Sequence, residues 1–198
     1  MVFRILGSSI LAVFYGCYFT KFVCQKRKGI KVDLLGKGKA GTVKAIEITT
    51  KTTTILTAAA EIVSIILNTA FLPIWTIICG ACIGWSGVAV FMIAAVTMRD
   101  SWRVGVGAED TQLITDGIYK VSRNPAFLGF DLVYIGTLLM FFNWILFVIT
   151  LVAIIMLHLQ IVKVEEPFLQ NVFREDYAVY AKKVCRYFGR KRNFKSRL

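Results

Sequence analysis

Two polar stretches hold most of the residues able to do chemistry. The first, residues 99–124, sets Arg99, Arg103, Lys120 and Arg123 against Asp100, Glu109, Asp110 and Asp116, between two long apolar regions. It contains Ser101-Trp102-Arg103 and then runs through Tyr119, Ser122, Arg123, Asn124 and Pro125 towards Gly129. The second opens on Glu165-Glu166 and continues through Phe168, Leu169, Phe173, Tyr177 and Tyr180. Together they offer a guanidinium, carboxylates and phenols at one level of the chain, a set suited to charge-assisted hydrogen bonding of a polar ligand. Plainer readings exist for each group. Arg123 could pair with a lipid phosphate, Glu165-Glu166 could be a solvated helix end, and Asn124-Pro125 could be the N-cap and first residue of a helix. With His158 as the one histidine, a zinc site lacks ligands. Cys79 and Cys82 have C-x-x-C spacing, but among Ile, Gly and Ala they read as small residues inside a membrane helix.

The run from Gly117 to Gly129, GIYKVSRNPAFLG, resembles the G-x-Y-x-x-x-R-[HN]-P-x-[YF]-x-G signature of the isoprenylcysteine carboxyl and phospholipid methyltransferase superfamily. Glu165-Glu166, Leu169, Phe173, Tyr177 and Tyr180 are similar to that superfamily's EE-x-x-L-x-x-x-F-G-x-x-Y-x-x-Y segment. The similarity covers roughly residues 98–190, and the first three apolar runs match it only as hydrophobic spans. Asn124 stands where many members carry His, and Phe127 where many carry Tyr. Asparagine donates and accepts hydrogen bonds, but it neither becomes cationic nor acts as an ordinary general base.

The resemblance implies an S-adenosyl-L-methionine-dependent membrane methyltransferase. Such a cofactor carries an already activated methyl group, so the protein's task is alignment of nucleophile, methyl carbon and sulfur. On this resemblance Tyr119, Arg123, Asn124, Pro125, Glu165 and Glu166 are the expected cofactor-binding residues, with His158 as a further contributor from the fifth apolar run. The expected acceptor is a lipophilic carboxylate, thiolate or lipid amine at the membrane interface. Arg103 would pair with an anionic acceptor, while Trp102 and Phe127 would line its apolar part. Interfacial anchoring of Trp102 and Arg103 is the plainer alternative. A sterol-reductase-like membrane oxidoreductase and a non-catalytic membrane protein keeping the scaffold are the competing readings.

These residues need a scaffold in lipid. The chain has 198 residues, is 57% hydrophobic and only 18% charged, and has a mean hydropathy of +0.65, outside the usual range for a soluble domain. Apolar runs over residues 5–23, 55–72, 74–98, 126–142 and 144–160 predict an all-α, integral membrane helical bundle with about five transmembrane helices. Phe168, Leu169, Val172, Phe173, Tyr177, Tyr180, Ala181, Val184 and Tyr187 recur at helical steps, predicting a cytoplasmic amphipathic helix. Pro167 is expected to end or kink the fifth helix. Residues 1–98 read as three transmembrane helices with a basic linker at 25–54, and residues 99–198 as the methyltransferase core, the two forming one structural unit.

The formal charge of +12 is distributed unevenly. Eight cations face two anions in residues 25–54, and ten face four from residue 163 onward, including the Arg190-Lys191-Arg192 tail. Such clusters flanking apolar runs point to anionic lipid head groups and a cytoplasmic face, not to nucleic acid. Arg4 alone marks the other side, so the reading is N-terminus out and C-terminus cytoplasmic, in the plasma (inner) membrane. Gly36-Lys37-Gly38-Lys39-Ala40-Gly41 matches G-x-G-x-x-G in letters but lacks the flanking strand and helix pattern, so it reads as a flexible basic linker. Thr42 to Ile48 alternates and suits either a short amphipathic or an extended segment. Glu61, Asn68 and Asp131 lie within apolar runs, where polar groups tend to face a bundle interior, although Glu61 and Asp131 are placed near the cytoplasmic ends, where snorkelling would serve.

Overall fold

A computed structural model describes residues 1–107 and 112–189. Its elements are α1 (Val2–Arg27), α2 (Gly41–Leu67), α3 (Ile74–Thr97), α4 (Pro125–Met140), α5 (Trp144–Gln160) and α6 (Glu166–Lys183). Short 3₁₀ turns cover Arg99–Ser101 and Gly117–Lys120, and a π-helical turn, Ile161–Glu165, joins α5 to α6. No β-strand occurs among the described residues. α1, α2, α3 and the helical path beginning at Trp144 are long and apolar enough to cross a membrane, while α4 is a shorter apolar helix. Residues 144–160 of that path form α5, which corresponds to the fifth apolar run.

From α1 to α5 successive helices alternate in direction, and α6 runs on from α5. Phe141 and Ile65 close against Gly7 at one end of the bundle, where Asn143 donates to Ser64 Oγ at 2.8 Å. At the other end Lys21 and Gln25 of α1 donate to the Arg99 carbonyl at 2.8 and 2.7 Å. The buried centre is built from Ile10, Phe14, Val88, Phe91, Val133 and Met140. The closest seam runs between α3 and α4. A Cβ added at Gly80 would lie 2.6 Å from the Gly136 carbonyl oxygen, and one at Gly87 would lie 2.8 Å from that of Gly129. Glycine lets these backbones touch, and dispersion between close helices replaces the hydrophobic drive that lipid removes.

The structure decides between the alternatives left open for some of these residues and corrects others. α2 begins at Gly41, well before the apolar run at 55, so Thr42 to Ile48 is helical. Its threonines return their hydroxyls to the backbone, as Thr50 does to the Ile46 carbonyl and Thr57 to that of Thr53, both at 2.8 Å, which masks polar groups in an apolar setting. The Gly36–Gly41 linker is a fitted turn: Gly36 has φ +71°, its N–H donates to Glu47 Oε2 at 2.6 Å, and Lys39 pairs with Glu47. Glu61 does not snorkel. It is fully buried and accepts from the Tyr15 hydroxyl at 3.0 Å. Asn68 is no interior group either; it is an exposed C-cap in the left-handed region, which asparagine tolerates.

Pro167 does not end the helical path: α5 passes through the π-helical turn Ile161–Glu165 directly into α6, with Pro167 in the first turn of α6, where no intrahelical N–H is needed. α6 does break at Arg174, with φ 42° and ψ −110°, and it stops at Lys183, so Val184 and Tyr187 lie beyond it. Arg174 stands where the superfamily pattern has glycine, the one residue that takes this conformation without a Cβ clash.

Candidate functional site

The turn Gly117–Lys120 and the start of α4 hold the first motif. Asn124 occupies the N-cap position with Pro125 as the first helical residue, but the asparagine side chain caps nothing. Its Nδ2 instead donates to the Arg186 carbonyl at 3.1 Å, while its own N–H donates to Ser122 Oγ at 3.1 Å. Residues 184–189 return alongside the motif, because Arg123 N donates to the Cys185 carbonyl at 3.1 Å and Gly189 N to that of Val121 at 2.8 Å. Contacts of this kind join two segments more than sixty residues apart in the chain.

The second motif closes the arrangement. Arg123 Nη2 lies 3.1 Å from Glu166 Oε1, and Nη1 donates to the Tyr177 hydroxyl at 2.9 Å. Arg186 grips the same Glu166 in two places, each at 2.9 Å. One carboxylate is thus shared by two guanidiniums, which fixes the planar fork of Arg123. The Tyr180 hydroxyl donates to the Tyr119 carbonyl at 2.7 Å, so two rings of the amphipathic helix hold the motif turn. Glu165, just past the crossing, receives Gln160 Nε2 at 3.4 Å, and burial pushes its carboxyl up to about 7. Burial also raises the phenols of Tyr119, Tyr177 and Tyr180, which stay neutral donors.

Both motifs open on a cavity of about 800 Å³. Tyr119, Arg123, Asn124, Gln160, Glu165 and Tyr177 line its polar end. Trp102 and Arg103 line it as well, beside Phe127 and Phe130. The remaining wall comes from the N-terminal half: Tyr18, Phe19 and Phe22 of α1, then Thr50, Ile55 and Ile62 of α2. Among the described residues, three polar atoms on this lining, Asp33 Oδ1, Arg123 Nε and Gln160 Oε1, are buried without a side-chain hydrogen-bond partner. A native interior rarely leaves such atoms unmet, and Arg123 Nε and Gln160 Oε1 have hydrogen-bonding capacity to spare beside the cavity.

Of the residues singled out from the sequence, Trp102, Arg103, Tyr119, Arg123, Asn124 and Glu165 therefore meet on one cavity. Glu166 stands behind Arg123, and Pro125 is buried in the first turn of α4. His158 is not brought to the lining. Its Nδ1 meets the Tyr187 hydroxyl at 2.6 Å with the rings stacked. Arg186, Gln160, Asp33 and Lys51 escaped the sequence reading. Arg186 lay just past the matched motif in a stretch read only as basic surface, and no local pattern in the sequence marks the other three. Among the described residues no cluster of His, Cys, Asp and Glu gathers to hold a metal ion.

Comparison with known proteins places this geometry. The sequence pattern of the phospholipid methyltransferase family matches residues 74–176, just over half of the chain. The chain belongs to the phospholipid methyltransferase family. The family match begins at the start of α3, earlier than the motifs alone suggested. The chain is 32% identical over 76 residues to a protein-S-isoprenylcysteine O-methyltransferase of Schizosaccharomyces pombe, a stretch covering 38% of this chain and 32% of that protein. It is 30% identical over 76 residues to protein-S-isoprenylcysteine O-methyltransferase B of Arabidopsis thaliana, covering 38% and 39% respectively. The match thus spans between about a third and two fifths of the length of these relatives. No solved structure matches the chain.

Proposed function

We propose that this multi-pass membrane protein transfers a methyl group from S-adenosyl-L-methionine to a carboxylate carried by a lipophilic acceptor. The observation that carries the reading is the single cavity in which a charged, motif-lined end meets an aromatic and aliphatic wall. Its volume of about 800 Å³ is within the range of small-molecule sites. The residues at the polar end fit the cofactor. Arg123 offers a cation and an unmet N–H for a carboxylate, while Gln160 Oε1 and Glu165 offer acceptors for hydroxyl or ammonium groups. The cofactor supplies an activated methyl on a sulfonium, and the protein's residues hold and orient the two partners.

The acceptor's nature follows from what faces it. Phe19, Ile55 and Ile62 line the cavity and are also exposed on the outer surface of the bundle, so an apolar tail can remain in the bilayer while its polar end enters. Carboxylates are ionised at neutral pH, so this acceptor needs no base, and Asn124 in place of an imidazole is no handicap. Arg103 holds the carboxylate, with Trp102 and Phe127 against the adjoining apolar part. In purified, lipid-reconstituted protein, labelled methyl transfer from S-adenosylmethionine into a total lipid extract should be detected. Arg103→Lys should lower turnover about tenfold or more while leaving cofactor affinity nearly intact, because lysine keeps charge but not the two-point fork. Full turnover in Arg103→Ala would end this assignment of Arg103, and absence of any transfer would end the activity.

Orientation follows from charge. Arg4 sits at the end of the bundle shared by Gly7, Ile65 and Phe141, whereas Lys21, Lys28, Lys51, Arg99, Arg123 and Arg186 sit at the site end. The positive-inside tendency then puts the site and C-terminus in the cytoplasm, at an inner or plasma membrane with anionic head groups. Cysteines introduced at Lys37 and at Lys191, the latter outside the described residues, should both be labelled from the cytoplasmic side. Labelling from opposite sides would overturn the topology.

A further inference from the structure

The turn that carries Trp102 and Arg103 onto the cavity is held from outside its own segment. Arg99, just past α3, has φ 47°, a left-handed conformation that a residue with a Cβ keeps only where its surroundings impose it. Those surroundings come from α1. Lys21 Nζ and Gln25 Nε2 both donate to the Arg99 carbonyl, at 2.8 and 2.7 Å, and Gln25 Nε2 also reaches the Trp102 carbonyl at 3.5 Å. Lys28, the C-cap of α1, pairs with Asp100 at 2.6 Å. Lys21, Gln25 and Lys28 follow one another at steps of four and three, so one face at the end of α1 meets the whole turn. The three differ in weight. The Lys28–Asp100 pair and the Lys21 contact are exposed, and exposed contacts of charged side chains contribute little. Gln25 is 1% exposed. Both groups it meets are carbonyl oxygens, so its amide must present the NH₂ end, whose two protons can serve one acceptor each.

Beyond Arg103 the chain is tied a second time, where Val104 N donates to the Val32 carbonyl and Leu34 N to that of Val104, both at 2.9 Å. Between the two ties Trp102 is 3% exposed, sets its ring edge-on to Tyr18 at 5.6 Å between centroids, and lines the cavity together with Arg103. Gln25, Val32 and Leu34 all precede the stretch that the family pattern matches. We infer that Gln25 is a positioning residue for the acceptor: by donating to the Arg99 and Trp102 carbonyls it fixes the turn that sets Trp102 and Arg103 against the cavity. This rests on the reading of function above. Gln25 is not on the cavity lining, so it acts through the turn. Without its amide the Arg99 carbonyl falls back on the exposed Lys21, and Arg99 can relax by turning the peptides that follow it. Trp102 and Arg103 then move, while Arg123, Gln160 and Glu165 at the polar end stay where they are.

The test uses the full chain in lipid vesicles, labelled S-adenosylmethionine, and N-acetyl-S-farnesylcysteine as a lipophilic carboxylate probe. Gln25→Met keeps the length and loses the donor. It should raise the KM for the probe about tenfold, the scale of one buried hydrogen bond, with cofactor affinity within about twofold of wild type. Gln25→Lys restores a donor of similar reach and should recover most of the loss. In an Arg103→Lys background Gln25→Met should add little, because the fork that it positions is already gone. A role in folding alone gives a different pattern: a smaller active fraction lowers kcat, leaves both KM values in place and multiplies with the Arg103→Lys loss. Where Gln25→Met does not fold, as judged by a monodisperse profile and retained cofactor binding, Lys21→Met is read instead, with the same selective rise in KM at about two- to threefold. An unchanged KM for the probe, an equal loss of cofactor affinity, or full multiplication with Arg103→Lys would overturn the inference while the methyl transfer stands. Transfer by wild-type protein neither to the probe nor into the lipid extract would remove the functional reading, and the inference with it; transfer into the extract alone moves the same comparison to the extract's acceptor.

Discussion

Replacing Arg123 by alanine is expected to weaken S-adenosylmethionine binding by about a hundredfold and to lower turnover at least as much, the scale for truncating one partner of a buried, hydrogen-bonded charge pair. The side chain is 9% exposed and serves Glu166, Tyr177 and the cavity at once. Its removal does not orphan Glu166, which keeps the two hydrogen bonds from Arg186, so the fold should survive. Arg123→Lys should recover little, because a point charge cannot meet a carboxylate, a phenol and a ligand in one plane. Glu166→Ala should act through the same fork, freeing both guanidiniums and broadening their positions. Titration of purified protein with S-adenosylmethionine measures both variants. Unchanged affinity in the two together would remove this site from consideration.

The second large effect concerns the scaffold. Gly136→Val is expected to destabilise the bundle by about 3 kcal/mol or more, the upper range for overpacking, since here the obstacle is backbone on the facing helix. A Cβ at this position would lie 2.5 Å from Gly84 N, 2.6 Å from Gly80 O and 2.7 Å from Gly84 Cα. None of these atoms can rotate away, so α3 and α4 must separate along the whole seam. Separation would also displace Phe91 on α3 and Phe130 on α4, two rings that line the cavity. Gly16→Ala is the matched control, with nothing within 4 Å of an added Cβ, and should be neutral or slightly stabilising. Thermal unfolding in detergent compares them. Equal midpoints for Gly136→Val and Gly16→Ala would show that the seam does not depend on glycine.

How the site was legible differs from residue to residue. Arg123, Glu165 and Glu166 stood out through their match to the two superfamily motifs, since taken alone they read as readily as a lipid-phosphate contact and a solvated helix end. Arg103 and Trp102 stood out by following directly on a helix end. Asn124 was readable as an N-cap by position, yet its amide is used elsewhere, on the Arg186 carbonyl, since the returning segment offers a buried acceptor that the helix start does not. His158 lay on the right helix but on the side facing Tyr187. Gln160 is two positions along, and that rotation of roughly 200° about the axis puts it on the cavity instead. Periodicity could not rank those two, because α5 is apolar nearly all round.

The solvent, the approximate bounds of the apolar helices and the end of the bundle that carries charge were legible in the sequence, because the cost of exposing backbone and ions to hydrocarbon acts residue by residue along the chain. The bounds held best where apolar runs met a turn, as at Asn143, whose side chain caps α5 by accepting from Leu146 N at 2.9 Å. They held least at α2, where threonine and lysine looked like a linker until local hydroxyl-to-carbonyl bonds and the Lys39–Glu47 pair made them helix. Which residues meet came from packing: Asp33 with Val104 and Lys51, Arg186 with Glu166, and the α1 and α2 side chains that complete the cavity. Those pairings join positions between eighteen and more than seventy residues apart, and no local pattern encodes them, because each depends on the register of helices set by the α3–α4 glycine seam and on the unmet polar atoms that packing leaves to be paired.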